Sequence, residues 1–430
     1  MEKPIKKSIN GIDVYYIKSD KFKTITWSMV FTHEPGTTLI NEYYFLSNIL
    51  VDNMKKYPSN VLKYRYQSSL YGLDAFGSAQ AIGNNIVNHF IVTYPNEIYL
   101  EGEDDLSKRA FIFLNEIVAN PSLRNKKFTK KAFKDNLDEA KELHQLLKSV
   151  KDMYAYYKFT KTYYNDKKEL QFNFPENDTL DQITLDTLSN TYDDLFKKDS
   201  VSIFVTGDIE EEKFDAIIKE NINPIITNHQ VNKTKREFPY SKELKPKIKK
   251  HYDHDVSQSR IFIAYLTEAE YNTKEHASLA VLNNIYGGFD QSLLFTEVRE
   301  RENLCYYIDS NYLPEENFVA VACSTDFLNE DIVTQKIQDI LEEVKIGHFT
   351  DELFNQAKDN CITSLESLAD SQSRYLLQHI KSFHLTGHRY NLEHRINTYK
   401  SVTKEDVMNV AKSLVLDTVY LYTKRGDTHE

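Results

Sequence analysis

The sequence predicts an α+β protein built from two units of similar fold, roughly 200 residues each. Both halves of the chain open on strand-like runs, IDVYYIKSDKFKTITWSMVF in the first half and SRIFIAYLT in the second. Both halves close on a short apolar run, VSIFVTGDI and TVYLYTKRG, and long helical patterns lie in between. The halves also match locally, because LSNILVDN followed by SSLYG resembles LNNIYGGF followed by ENLCYY. Chance similarity between leucine-rich helices is the alternative to an internal repeat.

Length and composition predict a soluble, multidomain protein of the cytoplasm. The chain has 430 residues, of which 41% are apolar and 27% are charged. We expect neither a membrane span nor a signal peptide, because no apolar run approaches about 18 residues and the N-terminus lacks an apolar core. Cys305, Cys323 and Cys361 are scattered without a CxxC motif, which indicates a reducing compartment and unpaired, buried thiols. The heavy use of Lys, Asn, Ile and Tyr is typical of an AT-rich bacterial genome.

The net charge of −11 argues against a nucleic-acid-binding protein, since duplex binding needs a clustered basic face. Solubility is the simple explanation of this charge, and an acidic inner surface that attracts basic peptides is the functional one. Residues 231–250, VNKTKREFPYSKELKPKIKK, carry Pro239, Pro246 and eight lysines or arginines. This composition predicts an exposed linker between the halves. A nucleic-acid-binding arm is the alternative interpretation.

The run YYFLSNILVDN, residues 43–53, predicts a helix with an apolar face buried in a core. Its other face carries Tyr44, Ser47 and Asn48 at i, i+3 and i+4. This is the spacing that two metal ligands and a general base would use on a helix. The helix therefore has the residue spacing of a metal site but lacks the side chains that bind a metal.

The most informative run is YGGFDQSLLFTEVRERENLCYY, residues 286–307. Gly287 and Gly288 are predicted to end a helix in the left-handed conformation. The next helix carries Arg299 and is predicted to end near Asn303, and a strand with Tyr306 near its start follows. An arginine fork and a tyrosine hydroxyl at these two ends can converge on one peptide carbonyl or carboxylate. The alternative is an arginine that pairs with neighbouring glutamates on a solvated face.

This run resembles the second-half motif of the pitrilysin/insulinase-type family of inverted-zincin peptidases. In that family a glycine pair, a helix and an R-x-x-x-G-L-x-Y-like run supply a substrate-binding Arg/Tyr pair. Here the run is RERENLCY, in which Arg299 and Tyr306 match and Asn303 replaces the glycine. The resemblance covers nearly the whole chain, because KFKTITWSMVF, YPSNVLKYRYQSSLYGLDA and FVTGDI also match family elements.

The resemblance also implies what the helix at 43–53 has lost. Catalytic family members carry H-x-x-E-H there, two zinc ligands and the glutamate that activates water. The motif falls on residues 44–48, where Tyr44, Ser47 and Asn48 replace both histidines and the glutamate. Asn136 falls at the third ligand position, with Glu139 nearby but out of frame. The resemblance therefore implies no catalytic residue, no metal and no cofactor in this chain.

For the fold, the resemblance implies two mostly antiparallel sheets packed with helices, as in LuxS and the mitochondrial processing peptidase. The predicted domains are residues 1–225 and 251–430, joined by a linker at 226–250. In the two-chain bacterial forms of the family, one subunit holds zinc and the other holds the Arg/Tyr pair. We therefore expect the zinc-free, peptide-binding subunit of a cytoplasmic heterodimer, with zinc in a homologous partner. A non-enzymatic homodimeric scaffold or peptide-binding protein is the alternative. A third possibility is an autonomous peptidase that uses Glu139 and the histidines of residues 379–394.

Overall fold

The computed structural model describes residues 4–34, 40–83, 85–102, 105–164, 180–231 and 245–424. The strands in these ranges are β1 (Ile5–Ile9), β2 (Ile12–Lys18), β3 (Thr24–His33), β4 (Asp74–Ile82), β5 (Asn85–Pro95), β6 (Leu123–Arg124), β7 (Lys127–Phe128), β8 (Ser200–Gly207), β9 (Lys247–Tyr252), β10 (Ser259–Leu266), β11 (Cys305–Leu313), β12 (Phe318–Thr325) and β13 (Val415–Thr423). Most of the predicted linker, residues 232–244, lies outside the described residues, and with it Pro239.

The helices in the same ranges begin and end as follows: α1 (Ile40–Asp52), α2 (Asn60–Ser69), α3 (Leu106–Ala119), α4 (Lys130–Ser149), α5 (Lys151–Tyr164), α6 (Leu185–Lys197), α7 (Glu211–Asn221), α8 (Lys274–Tyr286), α9 (Glu330–Lys345), α10 (Asp351–Leu368), α11 (Gln372–Thr386), α12 (Leu392–Lys400) and α13 (Lys404–Ser413). A π-helix spans Leu294–Arg301, and short 3₁₀ helices span Glu97–Tyr99 and Phe327–Asn329. Among the described residues, no helix combines the length and the apolar character needed to cross a lipid bilayer.

The first of two compact units comprises Met1–Leu146, Glu169–Arg236 and Ser371–Arg389. Its sheet has the order β1-β2-β8-β3-β5-β4, and every neighbouring pair is antiparallel except β2 with β8. The central strand β3 is buried along almost its whole length, so both faces of the sheet are covered. On one face Trp27 packs against Phe111 of α3, with ring centroids 4.7 Å apart. The unit thus has its own apolar core, as an independently folding domain requires.

The other face of the first sheet is covered by α11, which lies far along the chain. The Gln372 side-chain amide donates hydrogen bonds of 2.9 Å to the carbonyls of Thr24 and Thr206. Tyr15 of β2 contacts Phe383 of α11, with ring centroids 4.7 Å apart. The apolar face of this helix is therefore buried by a sheet formed from the first half of the sequence.

The second unit comprises Leu147–Lys168, Glu237–Asp370 and Tyr390–Glu430. Its sheet has the order β11-β12-β10-β13-β9 and is antiparallel except for the pair β13 and β9. Helix α5 packs on it, with Phe159 stacked on Phe262 at a centroid distance of 5.2 Å. Each unit thus takes one helix from the other half of the sequence. The predicted division into consecutive domains did not include this exchange.

Candidate functional site

Helix α1 has the burial that its sequence predicts. Phe45, Leu46, Ile49 and Leu50 all belong to the core of the first unit. Its opposite face borders a pocket of about 270 Å³. The pocket is lined by Asn41, Tyr44, Phe45, Asn48, Val51, Asp52, Ala75, Phe76, Gly77, Asn136, Glu139, Ala140, Leu143 and Leu180. Tyr44, Asn48 and Asn136, three of the four positions aligned with the family's metal site, therefore meet at one pocket, and Glu139 joins them.

Ser47, the fourth aligned position, does not line this pocket. Its side chain is fully buried, donates a 2.8 Å hydrogen bond to the carbonyl of Tyr43 and accepts one of 2.8 Å from Asn88 Nδ2. Strand β4 also comes very close, because a Cβ added at Gly77 would lie 2.8 Å from the Ser47 carbonyl oxygen. The position at which the resemblance places the family's general base therefore serves the packing of α1 against the sheet.

The donor set of the pocket does not fit zinc. Tyr44, Asn48 and Asn136 are neutral, and the two carboxylates of the lining, Asp52 and Glu139, fall short of the three or more imidazole, thiolate or carboxylate ligands that zinc sites use. The Asn136 side-chain amide donates to the carbonyl of Ala132 in its own helix at 3.0 Å. Within the described ranges, no group of three or more His, Cys, Asp or Glu side chains converges as a metal site would require. This arrangement counts against an autonomous peptidase using Glu139 and the 379–394 histidines.

Gly287 and Gly288 follow α8, but close packing and not the predicted left-handed helix cap requires glycine there. The helix ends at Tyr286 as expected, but Gly287 has φ −157° and ψ 7°, outside the left-handed region, so the predicted left-handed cap is wrong. A Cβ on Gly287 would lie 2.8 Å from the backbone nitrogen of Ser310, and one on Gly288 would lie 2.8 Å from Asn283 Nδ2. Both glycines are therefore required by the close approach of β11 and α8, and not by a turn of the backbone.

Arg299 lies on the π-helix, a rare conformation that is frequent at functional sites. Leu294 and Val298 anchor this segment in the core of the second unit. The Arg299 guanidinium lies over the ring of Phe295, 4.7 Å from its centroid, and its side chain is 40% exposed. Its contact with Glu300 measures 3.9 Å, so the predicted alternative of an ion pair with a neighbouring glutamate exists as a long contact. The donors of the arginine fork remain accessible to a ligand.

Asn303 replaces the glycine of the family motif but adopts a backbone conformation that is typical of glycine. Its φ is +51°, in the left-handed region that glycine enters freely and that asparagine tolerates best among other residues. The following residue, Leu304, donates its backbone N–H to the Val298 carbonyl at 3.0 Å. The chain therefore turns here as a glycine would turn it, and β11 starts directly afterwards.

Tyr306 lies at an irregularity in the pairing of β11 with β12. Cys305 pairs with Thr325 and Tyr307 pairs with Ser324, so Tyr306 is the extra residue of a β-bulge. The Tyr306 ring is half exposed, and its hydroxyl donates a 3.0 Å hydrogen bond to Asp326 Oδ1. This hydrogen bond raises the pKa of Tyr306. The hydroxyl is therefore protonated near neutral pH, and in this structure its single proton is donated to Asp326.

The charge of Arg299 lies beside the start of β11. The pKa of the Cys305 thiol is lowered first by its hydrogen bond with Cys323 and, against the opposing effect of burial, by the charge of Arg299. All three cysteines are free and buried, as the sequence predicts. Sequence reasoning missed Asp326 as the partner of Tyr306. The signal for the bulge was the pair Tyr306–Tyr307, two bulky residues in succession where a strand should alternate.

Comparison with known proteins agrees with this architecture. A family model described as "Peptidase M16 inactive domain" matches residues 182–361. A Bacillus subtilis (strain 168) protein named "Probable inactive metalloprotease YmfF" is 25% identical over 97% of this chain and 96% of its own length.

Two solved structures share the fold. A conserved protein from Enterococcus faecalis V583 has a TM-score of 0.87 at 23% identity, covering 99% of this chain and all of that one. A peptidase M16 inactive domain from Pseudomonas fluorescens has a TM-score of 0.79 at 15% identity, covering 98% of both chains. The predicted α+β, metalloprotease-like fold is confirmed.

Proposed function

We propose that this chain is the zinc-free, peptide-binding subunit of a heterodimeric zinc peptidase, because it resembles the inactive type of the M16 peptidase family in the family-model match at 182–361 and in a relative that covers nearly the whole chain. A homologous partner would supply the metal and the general base. The proposed compartment is the bacterial cytoplasm, which the three free cysteines support. The proposed task is peptide processing.

One observation carries the proposal: the donors of Arg299 and Tyr306 are exposed beside an edge strand, while the pocket at α1 has no zinc-binding set. Strand β11 is the last strand of its sheet order, and Tyr306 is the extra residue of its bulge. A scaffold without substrate has no need of two accessible donors on this segment. A subunit that orients a peptide needs them, because each can donate to a carbonyl oxygen.

The proposed mechanism for this chain is positioning and electrostatic stabilisation. The Arg299 guanidinium presents several N–H donors, already oriented by stacking on Phe295. The Tyr306 hydroxyl would exchange its hydrogen bond to Asp326 for one to the peptide. If these contacts are stronger to the transition state than to the bound peptide, they raise the rate at the partner's metal. The partner's residues would perform the bond cleavage.

The test is reconstitution with the zinc-bearing relative that co-purifies from native cells, followed by peptidase assays and metal analysis of each chain. Arg299→Ala should lower the kcat of the complex by at least about tenfold, as loss of an oriented donor does. Arg301→Ala is the matched control, since Arg301 lies on the same π-helix, is 67% exposed and is not a predicted contact. Tyr306→Phe should also lower the rate without changing complex formation.

Three outcomes would count against the proposal. Equal losses in Arg299→Ala and Arg301→Ala would show that Arg299 has no special role. Stable self-association without a zinc-bearing partner would favour the homodimeric scaffold. Tightly bound zinc in the isolated chain, or peptide hydrolysis by it alone, would overturn the proposal outright.

A further inference from the structure

The carboxylate that receives the Tyr306 proton, Asp326, lies on a turn that is fastened to the start of β11. Thr325 precedes it as the last residue of β12. The Thr325 hydroxyl and the Asn329 side-chain amide both donate to the carbonyl of Leu304, at 2.5 and 3.3 Å. The Asn329 backbone N–H also donates to the carbonyl of Asp326 at 3.0 Å. The backbone of Asp326 is therefore held beside the residues that lead into Tyr306.

The Tyr306 side chain, in contrast, depends on Asp326 for its position. Tyr306 is the extra residue of the bulge, so it has no paired residue in β12. In the described part of the chain, the 3.0 Å hydrogen bond to Asp326 Oδ1 is the one hydrogen bond or ring contact of the exposed phenol. Asp326 therefore fixes both the place of the hydroxyl and the direction of its single proton.

Helix capping is the simple explanation of an aspartate at this position, because a carboxylate before a helix usually accepts from its first N–H groups. Asp326 precedes the 3₁₀ helix Phe327–Asn329, but its side chain makes no capping hydrogen bond. Asp331, in the first turn of α9, has the position that favours a negative charge at a helix N-terminus. Capping thus explains Asp331 and does not explain why Asp326 is directed at Tyr306.

Tyr306 can act as a donor to a peptide only when its hydrogen bond to Asp326 breaks. A phenol has one proton, so the hydroxyl leaves the carboxylate whenever it donates to a peptide carbonyl. The carboxylate then loses a charge-assisted hydrogen bond, which is stronger than a neutral one. Within the described ranges, Asp326 forms no ion pair with a lysine or arginine of its own chain. A cation brought by the peptide would therefore replace the partner that Asp326 loses.

The side chains next to Asp326 suit a long basic side chain. Phe327 and Leu328 follow it directly, and both are exposed, Leu328 to 97%. Lysine and arginine lay their methylene stems on such apolar surface while the charged head stays in a polar environment. Aromatic rings, here those of Tyr306 and Phe327, also attract cations. A carboxylate flanked by exposed aromatic and aliphatic groups therefore favours lysine or arginine over a neutral or acidic residue.

We propose that Asp326 determines the substrate specificity of this site by holding the Tyr306 hydroxyl until a lysine or arginine of the peptide pairs with its carboxylate. The released hydroxyl then turns and donates to the peptide carbonyl. No proton leaves the tyrosine, because the carboxylate only exchanges one donor for another. This role rests on the function proposed for Arg299 and Tyr306, and it adds the class of substrate, a peptide with a basic residue beside the bound carbonyl. The net charge of −11 also attracts basic peptides.

The first test measures cleavage, by the reconstituted complex, of fluorogenic nonapeptides of alanine and glutamine that carry one lysine at each position in turn. A second set with norleucine at the same positions keeps the stem and removes the charge. At one position, lysine should raise kcat/KM at least about tenfold over norleucine. Equal rates for the two sets at every position would overturn the proposal.

The second test removes the charge of Asp326 and keeps its shape. In Asp326→Asn the preference for lysine should fall to within about twofold. The norleucine peptide should be cleaved at least as fast as by the native complex, because a neutral amide holds the hydroxyl less strongly than a carboxylate does. A residue with a merely structural role would instead lower the rates for both peptides alike, and that result would refute the proposal.

Asp331→Asn is the matched control, because it removes the same charge five residues further along the chain. Asp331 is exposed and has no hydrogen bond or ion pair among the described residues. This variant should keep the preference for lysine. An equal loss of preference in Asp331→Asn and Asp326→Asn would reduce the effect to net charge and refute the specific role of Asp326.

Two further variants test the coupling between Asp326 and Tyr306. Asp326→Lys should reverse the preference, so that a peptide with glutamate at the same position is cleaved faster than the lysine peptide. In Tyr306→Phe there is no hydroxyl to release, so lysine should keep its advantage in KM and lose it in kcat. An advantage in kcat that persists in Tyr306→Phe would show that Asp326 acts independently of Tyr306, and would refute the release step.

The variant Arg299→Ala separates failure of this role from failure of the proposed function. If Arg299→Ala lowers the rate for every peptide while Asp326→Asn leaves the lysine preference intact, only the role of Asp326 is wrong. If Arg299→Ala has no effect, the proposed function is wrong, and the role of Asp326 is wrong with it.

Discussion

Helix α1 of the first unit and helix α8 of the second occupy matching places in the two halves of the sequence. Their packing on the sheet is similar, but the functional groups beside them differ. Both pack closely on a strand through a glycine, Gly77 in one unit and Gly287 in the other. At the matched positions Ser47 and Asn283, both side chains are buried and hydrogen-bonded across to the sheet. The packing is therefore common to both units.

The chemistry beside the two helices differs. The pocket at α1 has phenol and amide groups at Tyr44, Asn48 and Asn136, and it lines up only two carboxylates, Asp52 and Glu139, which is fewer than a zinc site uses. The segment after α8 keeps an exposed arginine and tyrosine on a π-helix and a bulge. The buried contacts that hold a helix on its sheet are thus present in both units. The exposed groups that could act on a ligand are present in only one of them. A fold can therefore lose one set of functional groups without losing its core.

Reinstating a glutamate at position 47 is expected to have the largest effect among the tests of this comparison. Ser47→Glu forces a carboxylate into a fully buried site beside Gly77, so we expect a loss of about 3 kcal/mol or more in the free energy of unfolding. Denaturant unfolding measures it. Asn48→Glu is the matched control, one residue away on the exposed face, and should change stability by less than about 1 kcal/mol. Equal losses would show that packing does not distinguish the two faces of α1.

A pH titration tests how strongly the core of the first unit buries a polar side chain, His89. Burial lowers the pKa of His89, in β5, to about 4. The unfolded chain binds a proton near the ordinary pKa of about 6.5, so below that pH the unfolded state holds more protons than the folded state. The stability contributed by neutral His89 is therefore complete above about pH 6.5 and is lost as the pH falls towards 4. Between pH 6.5 and 5 this amounts to about 2 kcal/mol.

The variant His89→Phe should remove that part of the acid sensitivity. Urea unfolding at pH 7 and pH 5 should show a smaller difference in unfolding free energy than in the native protein, by up to about 2 kcal/mol. His394→Gln, at an exposed position of α12, serves as the control and should leave the difference unchanged. An unchanged pH dependence in His89→Phe would mean that the imidazole is hydrated or paired in the folded state.

Much of the fold could be predicted from local pattern, because helix α1, the helix end before Gly287 and the buried Leu294 and Val298 follow from periodicity. The exchange of α5 and α11 between the two units could not be predicted, since an amphipathic helix can pack on many different sheets. The choice depends on distant partners, such as the contacts of Gln372 with two strands of the first unit.

The candidate site could likewise be predicted only in part, because its geometry depends on residues distant in sequence. A helix turns about 100° per residue, so the i, i+3, i+4 spacing brings Ser47 near Asn48 without fixing whether both face the pocket. The close approach of Gly77 and Asn88, both distant in sequence, directs Ser47 into the core. The bulge at Tyr306 likewise depends on its pairing with β12.

The smallest expected effect concerns the turn that joins the π-helix to β11. Asn303 has φ +51°, so Asn303→Gly should leave stability within about 0.5 kcal/mol of the native value, whereas Asn303→Ala should lower it by about 1 kcal/mol or slightly more. Thermal unfolding of both variants measures this difference. In the reconstituted complex, Asn303→Gly should keep the activity that depends on Arg299 and Tyr306, because the turn that separates them is preserved. If Asn303→Ala is as stable and as active as Asn303→Gly, the left-handed turn is not what holds the two donors in place, and the match between this asparagine and the family's glycine has no structural basis.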